Sequence, residues 1–169
     1  MNASKYKLIL EKEKSIKSVK CNNTLSTYQF IKGNLKLNKE PEEVAYLLCL
    51  DNHFNLMGYF EVSRGCIDRS LLHPREVFKR AILVNASNII LTHNHPSGES
   101  NPSRNDIFVT KVMRDTGTIV GINLLDHIII GEKDYYSFQE NSFDKIKDGE
   151  KRRKKYGIKK ENNNEERSR

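Results

Sequence analysis

The sequence has no tryptophan, three cysteines, four prolines, and no apolar run long enough to cross a bilayer. The longest such run, Val44 to Leu50, falls far short of the roughly 20 residues a membrane helix needs, so no membrane association is expected. The first residues, MNASKYKLILEKEKSIK, scatter charges among apolar side chains. They lack the uninterrupted apolar stretch and small-residue cleavage site of a secretory signal, and the cytoplasm is the expected compartment. Cys21, Cys49 and Cys66 are odd in number, widely spaced and without a CxxC pair, which argues against both a disulfide framework and a zinc knuckle.

Charge of one sign is also scarce until the C-terminus. The net charge is +7, but residues 145–169 carry eleven Lys and Arg against five Asp and Glu. The other 144 residues hold eighteen basic and seventeen acidic side chains, close to neutrality. The tail, KIKDGEKRRKKYGIKKENNNEERSR, has no apolar periodicity to pack and is expected to be a frayed helix or disordered. It suits weak, salt-sensitive contact with nucleic acid or another polyanion, and equally a solvated end that aids solubility. At 169 residues the chain has room for one domain with a core of its own. The expected organisation is an N-terminal strand and helix over 1–40, a body over 41–144 and the basic tail over 145–169.

Alternation over residues 5–12 (KYKLILEK) predicts an edge strand, and TLSTYQFIKGNL (24–35) a short helix capped by Thr24. EVAYLLCLD (43–51) is nearly all apolar, as in a strand buried on both faces, and LMGYFEVS (56–63) is its hairpin partner across DNHFN. HPREVFKRAILVNA (73–86) has Pro74 in the first turn and an apolar stripe through Val77, Ala81 and Val84. Strand NIILTH (88–93) follows, then a helix over 104–116 stopped by Gly117, the strands TIVGIN and LLDHIIIG, and a short YYSF. Interleaved strands and helices predict an α/β fold with a mixed sheet flanked by helices.

The chemistry concentrates in ILTHNHPSGESNPSRND (89–106). Residues two apart on a strand share a face, so His93 and His95 point the same way where NIILT opens into a loop. H-x-H alone is a weak signal, since paired histidines are common by chance. Asp106 adds a carboxylate in the first turn of the next helix, which can return to the same point. Two nitrogens and one oxygen, with a fourth position open, is the donor pattern of a catalytic zinc site. Ser103 and Asp106 also read as an S-x-x-D capping box; the two readings are compatible.

His93-x-His95, seven residues, then Ser103-x-x-Asp106 resembles the JAMM (MPN) metalloprotease motif. The wider text, HPREVFKRAILVNASNIILTHNHPSG with PSRNDI and GINLLDHIIIG, is similar to the RadC branch of that superfamily from about Pro41 to Glu140. The resemblance implies a JAMM/cytidine-deaminase-like sandwich and one Zn2+ per chain, held by His93, His95 and Asp106. It also implies a glutamate upstream that acts through the water on the metal. Glu42, Glu43 and Glu61 are available; the motif places this residue directly before a short apolar strand, which selects Glu43. Glu43 would then move the proton and Ser103 would help hold the oxyanion in hydrolysis of a peptide or isopeptide bond, the substrate being a protein or peptide. For HPRE, and for Asp126 with His127, the resemblance leaves open helix capping and a buried polar anchor on one side, and ligand orientation on the other. His53, in the turn, is expected to be a solvated loop residue.

A second class of function, a DNA-repair-associated accessory or DNA-binding module, is suggested by the same family. Many such proteins carry an N-terminal helix-hairpin-helix segment, and the forty or so residues before Glu43 show no hairpin of that kind, as expected for a short form. A catalytically dead scaffold is disfavoured because every ligand position and the serine are filled.

Overall fold

The computed structural model describes residues 10–65 and 72–142. Among the described residues, five strands form one mixed sheet in the order β2-β1-β3-β4-β5, with three α-helices against it. The strands are β1 (Val44–Leu50), β2 (Leu56–Arg64), β3 (Asn88–Asn94), β4 (Asn123–Ile130) and β5 (Tyr135–Ser137); the helices are α1 (Thr24–Phe30), α2 (Pro74–Leu83) and α3 (Arg104–Val120). This is the α/β architecture expected, and it agrees with a JAMM-like sandwich.

The sequence of β1 explains its central place. VAYLLCL is apolar on both faces, and each face meets its own core. Ala45, Leu47 and Cys49 join Ile89 and Leu91 of β3 and Val77, Phe78 and Met113 of α2 and α3. Val44, Leu48 and Leu50 join Phe30, Ile31, Leu37, Ile128 and Ile130 on the other side. Fully burying each such Leu or Ile contributes about 1.5–3 kcal/mol, so the two cores clamp the sheet from both sides. β1 runs antiparallel to both β2 and β3. β3 and β4 are parallel, and α3 makes the long connection that parallel pairing requires.

The β1–β2 hairpin closes on Asp51, whose carboxylate accepts from the backbone N–H of His53 and of Asn55, both at 2.8 Å. His53 itself is exposed. α2 starts at His73, whose Nδ1 accepts from Arg75 N at 3.1 Å, with Pro74 in the first turn; Glu76 pairs with Lys79 and Arg80. In HPRE, then, His73 and Glu76 serve the start of the helix.

Three local expectations are corrected. α1 is capped by Asn23 rather than Thr24: Asn23 Oδ1 accepts from Ser26 N at 2.8 Å, while Thr24 is buried against Asp126. α3 is not stopped by Gly117 but runs to Val120, and Gly121 caps it at φ +73°. Gly117 is there for closeness, since a Cβ would collide with the Ile122 carbonyl oxygen. Consequently TIVGIN is not a strand, and β4 begins at Asn123. The strand expected over 5–12 lies largely outside the described residues; 10–12 are in no strand. Cys66 and the basic tail also lie outside them. Cys21 and Cys49 are buried free thiols. No helix among the described residues is long and apolar enough to cross a membrane.

Candidate metal centre

Antiparallel pairing sets the start of β1 beside the end of β3, with Ala45 opposite His93. Glu43 precedes β1 by one residue, and the register brings it to the end of β3 that carries His93. The chain then leaves β3 through His95 and a turn in which Gly98, at φ +80°, leads to α3. The first turn of α3 returns Asp106 to the same place.

The donor atoms converge. His93 Nε2 and His95 Nε2 are 3.1 Å apart. Asp106 Oδ1 is 3.3 Å from His93 Nε2, and Asp106 Oδ2 is 3.5 Å from His95 Nε2. Glu43 Oε1 stands farther back, 3.9 Å from His93 Nε2. The side chain of His93 is fully buried and that of Asp106 8% exposed, against 25% for Glu43. Glu43, His93 and His95 form a group that can hold a metal ion, with ligand atoms all within 4.8 Å of one another. Asp106 approaches the same two imidazoles more closely than Glu43 does, so two carboxylates flank one pair of nitrogens.

The donors fit a small tetrahedral cation. Ligand atoms about 2.0–2.2 Å from such an ion lie about 3.3–3.6 Å from one another, and the separations among His93, His95 and Asp106 are 3.1, 3.3 and 3.5 Å. Hydrogen bonding orients the donors the same way. His95 Nδ1 lies 2.8 Å from the carbonyl oxygen of Glu99. A carbonyl only accepts, so Nδ1 carries the proton and Nε2 turns its lone pair into the cluster. Lone pairs and carboxylates gathered at one point call for a cation between them.

The electrostatics of the cluster agree. Burial on its own would raise the Asp106 carboxyl, yet the adjoining His93 and His95 imidazoles and the Ser103 hydroxyl hold it far below the usual carboxylate range. The Asp106 carboxylate in turn holds the His95 imidazole above its ordinary value. Burial pushes His127, which is beside His93, well below its own.

Ser103 forms the capping box in full. Its Oγ accepts from Asp106 N at 3.1 Å and donates to Asp106 Oδ2 at 2.5 Å, and its own N–H donates to the same oxygen at 2.7 Å. Cap and cluster therefore share one carboxylate. The other two glutamates are elsewhere: Glu42 is exposed, and Glu61 accepts from Arg64 and Tyr46, paired across from Tyr46 and so on the sheet face opposite His93.

Four buried polar residues in or next to this region had no assigned role in the sequence or were left open by it. Asn94 accepts from Val44 N at 2.8 Å and donates to the carbonyls of Glu42 and Glu40 at 2.9 and 3.3 Å. Thr110 and His127 lie behind His93, with His127 Nε2 2.9 Å from His93 Nδ1. The signal for Thr110 was its place one helical turn after Asp106. Asp126, next to His127 in sequence, faces the opposite core and accepts from Thr24, Ser137 and the Gln139 N–H. A polar recess of about 220 Å³ opens beside His95, lined in part by Asn38, Glu40, Ser97 and Glu132.

Residues 21–143 match the family model of the RadC-like JAB domain. A Thermotoga maritima protein, named only as a UPF0758 protein, is 38% identical over 121 residues, covering 72% of this chain and 53% of its own length. UPF0758 proteins of Methanosarcina barkeri (44% over 108 residues; 64% and 47% covered) and Alkaliphilus oremlandii (47% over 105 residues; 62% and 44%) are also similar. The chain thus spans about half the length of the curated relatives it matches.

Proposed function

The chain belongs to the RadC-like JAB domain family, and from that membership we propose that it is a zinc-dependent hydrolase of peptide or isopeptide bonds. His93, His95 and Asp106 hold the ion, and Glu43 and Ser103 carry the proton and charge movements. The observation behind this reading is the triangle of 3.1, 3.3 and 3.5 Å among two imidazole nitrogens and a carboxylate. Asp106 is assigned as ligand over Glu43 because it is nearer to both nitrogens and more deeply buried.

When bound, zinc supplies a Lewis acid that makes water a nucleophile near neutral pH and polarises a carbonyl. Glu43, set back from the imidazoles and a quarter exposed, is placed to take a proton from water at Oε1 and to pass it to the leaving nitrogen. The Ser103 hydroxyl, freed from Asp106 by rotation about Cα–Cβ, donates to the developing oxyanion. Burial of His93 and Asp106 keeps bulk water from competing for these contacts. The recess beside His95 gives an extended segment of a protein or peptide substrate a place to lie.

Metal content comes first: protein purified without chelator and supplied with Zn2+ should hold about one ion per chain, and an intact protein that takes up none refutes the reading. With a panel of peptides and isopeptide-linked conjugates, Glu43→Gln should keep the metal and lose about 10²–10⁴-fold in rate. A DNA-binding module would leave hydrolysis indifferent to Glu43.

A further inference from the structure

Behind His93, hydrogen bonding runs in one direction through fully buried side chains. Thr110 Oγ1 lies 2.6 Å from the carbonyl oxygen of Asp106, one turn back in α3, and 2.6 Å from His127 Nδ1. A hydroxyl has one proton, and the carbonyl can only accept, so that proton is spent on Asp106 O. Thr110 must therefore accept from His127, which fixes the His127 proton on Nδ1. His127 is fully buried, and its two ring nitrogens meet Thr110 and His93 rather than a carboxylate, so the ring is neutral and Nε2 is an acceptor. His93 Nδ1, 2.9 Å away, then has to be the donor. The outcome is a His93 ring protonated on Nδ1, with its Nε2 lone pair turned towards His95, Asp106 and Glu43.

We propose that Thr110 and His127 are positioning residues that set the His93 tautomer for metal binding. The inference rests on the metal reading above and adds its cause for one ligand. The relay starts from the backbone of Asp106 and ends on His93, so it also locks the ligand-bearing turn of α3 to the ligand-bearing end of β3. Phe138, stacked on His127 with ring centroids 5.2 Å apart and planes 11° from parallel, holds the plane of the relaying ring. Partners of this kind typically account for about 10–100-fold in metal affinity.

The experiment combines nitrogen NMR of the imidazole rings in the metal-free protein with Zn2+ affinity by competition against a chelating indicator. The wild type should show His93 protonated on Nδ1 and bare on Nε2. Thr110→Val and His127→Phe should weaken Zn2+ binding by about 10–100-fold. Thr110→Ser and His127→Gln should restore it, because serine still accepts from His127 and a glutamine amide can both accept from His93 and donate to Thr110. A merely structural role would lower thermal stability without moving the His93 proton. An Nε2-protonated His93 in the wild type overturns the relay, as does a folded Thr110→Val that binds Zn2+ like the wild type. The ring spectrum of the wild type decides the tautomer even if a variant fails to fold. A wild type that takes up no Zn2+ instead overturns the metal reading itself, and with it the purpose assigned to the relay.

Discussion

Two buried carboxylates sit on opposite faces of the same sheet, and their surroundings differ in kind. Asp126 is encircled by donors: Thr24 Oγ1 at 3.3 Å, Ser137 Oγ at 2.7 Å and the Gln139 N–H at 3.0 Å. Burial still pushes its carboxyl up to about 6. These bonds tie α1 and β5 to β4. Asp106 meets Ser103 and two imidazoles whose Nε2 atoms lie 3.1 Å apart, turned towards it. The first arrangement satisfies its own hydrogen bonds and is a joint. The second is short of positive charge and belongs to the candidate site. Burial and charge alone do not separate the two; the count of donors against acceptors does.

That contrast breaks most sharply with asparagine. Asp106→Asn should cost more than the roughly 100-fold in Zn2+ affinity that an outer partner can cost, because it removes the anionic ligand. Asp126→Asn should leave Zn2+ binding unchanged. Equal losses of metal in a competition titration would mean that Asp126 acts on the site.

Next in size is the joint itself. Asp126→Ala strands three donors at about 1–3 kcal/mol each, partly relieved as the two hydroxyls turn. At pH 5, where the native carboxyl is still mostly protonated, we expect a loss of roughly 4 kcal/mol, or a fall in Tm of about 8–16 °C. A Tm within a degree of wild type would show that α1 and β5 do not depend on this contact.

A pH series of metal-free protein sharpens the comparison further. The folded pKa of Asp126 lies above its ordinary 3.8, so between 3.8 and about 6 the folded state binds more protons than the unfolded one. Stability from this group should fall as pH rises through that window, by up to about 3 kcal/mol, and stay level above it. Asp106 runs the other way: its depressed pKa gives stability above its ordinary 3.8 that is lost as pH falls further. In denaturant melts, Asp126→Asn should flatten the upper window and leave the acid limb. If the slope between pH 4 and 6 survives the substitution, another group causes it.

The smallest effect belongs to Glu61. It is a half-exposed partner of Arg64 at 2.8 Å, and such pairs contribute less than about 1 kcal/mol. Glu61→Gln should leave Zn2+ uptake and any hydrolysis as they were, whereas Glu43→Gln should keep the ion and lose hydrolysis.

Much of the frame was legible because periodicity survives in the sequence. β1, β3 and α2 came out within a residue or two or slightly overlong, since continuous apolar runs and a Pro74 start are local features. Gly117 misled because a glycine that ends a helix and one that lets a helix approach a neighbour look alike in one dimension; only the nearness of Ile122 tells them apart. The candidate site divides the same way. His93, His95, Ser103 and Asp106 lie within fourteen residues and could be read from spacing. Glu43 lies fifty residues from His93 and was reached only through resemblance. In LLDH the sequence left one question for two residues, and the two answers differ: successive side chains on β4 face opposite cores, so Asp126 secures the fold while His127 touches His93.

Asn94, the residue between the two histidines, has a consequence for how the chain folds. A strand that is apolar on both faces, as β1 is, can slide by one residue without exposing its side chains to water, so hydrophobic burial gives it little protection against mispairing. Such a slip would turn Glu43 away from His93 while leaving the sheet outwardly intact. The carboxamide of Asn94 bonds at once to the N–H of Val44 and to the carbonyls of Glu42 and Glu40, a match that only one alignment of the two strands satisfies. Asn94 therefore acts as an index mark for the register of the folded pair. Without it, burial alone would leave only weakly disfavoured the slipped pairing that turns Glu43 away from His93.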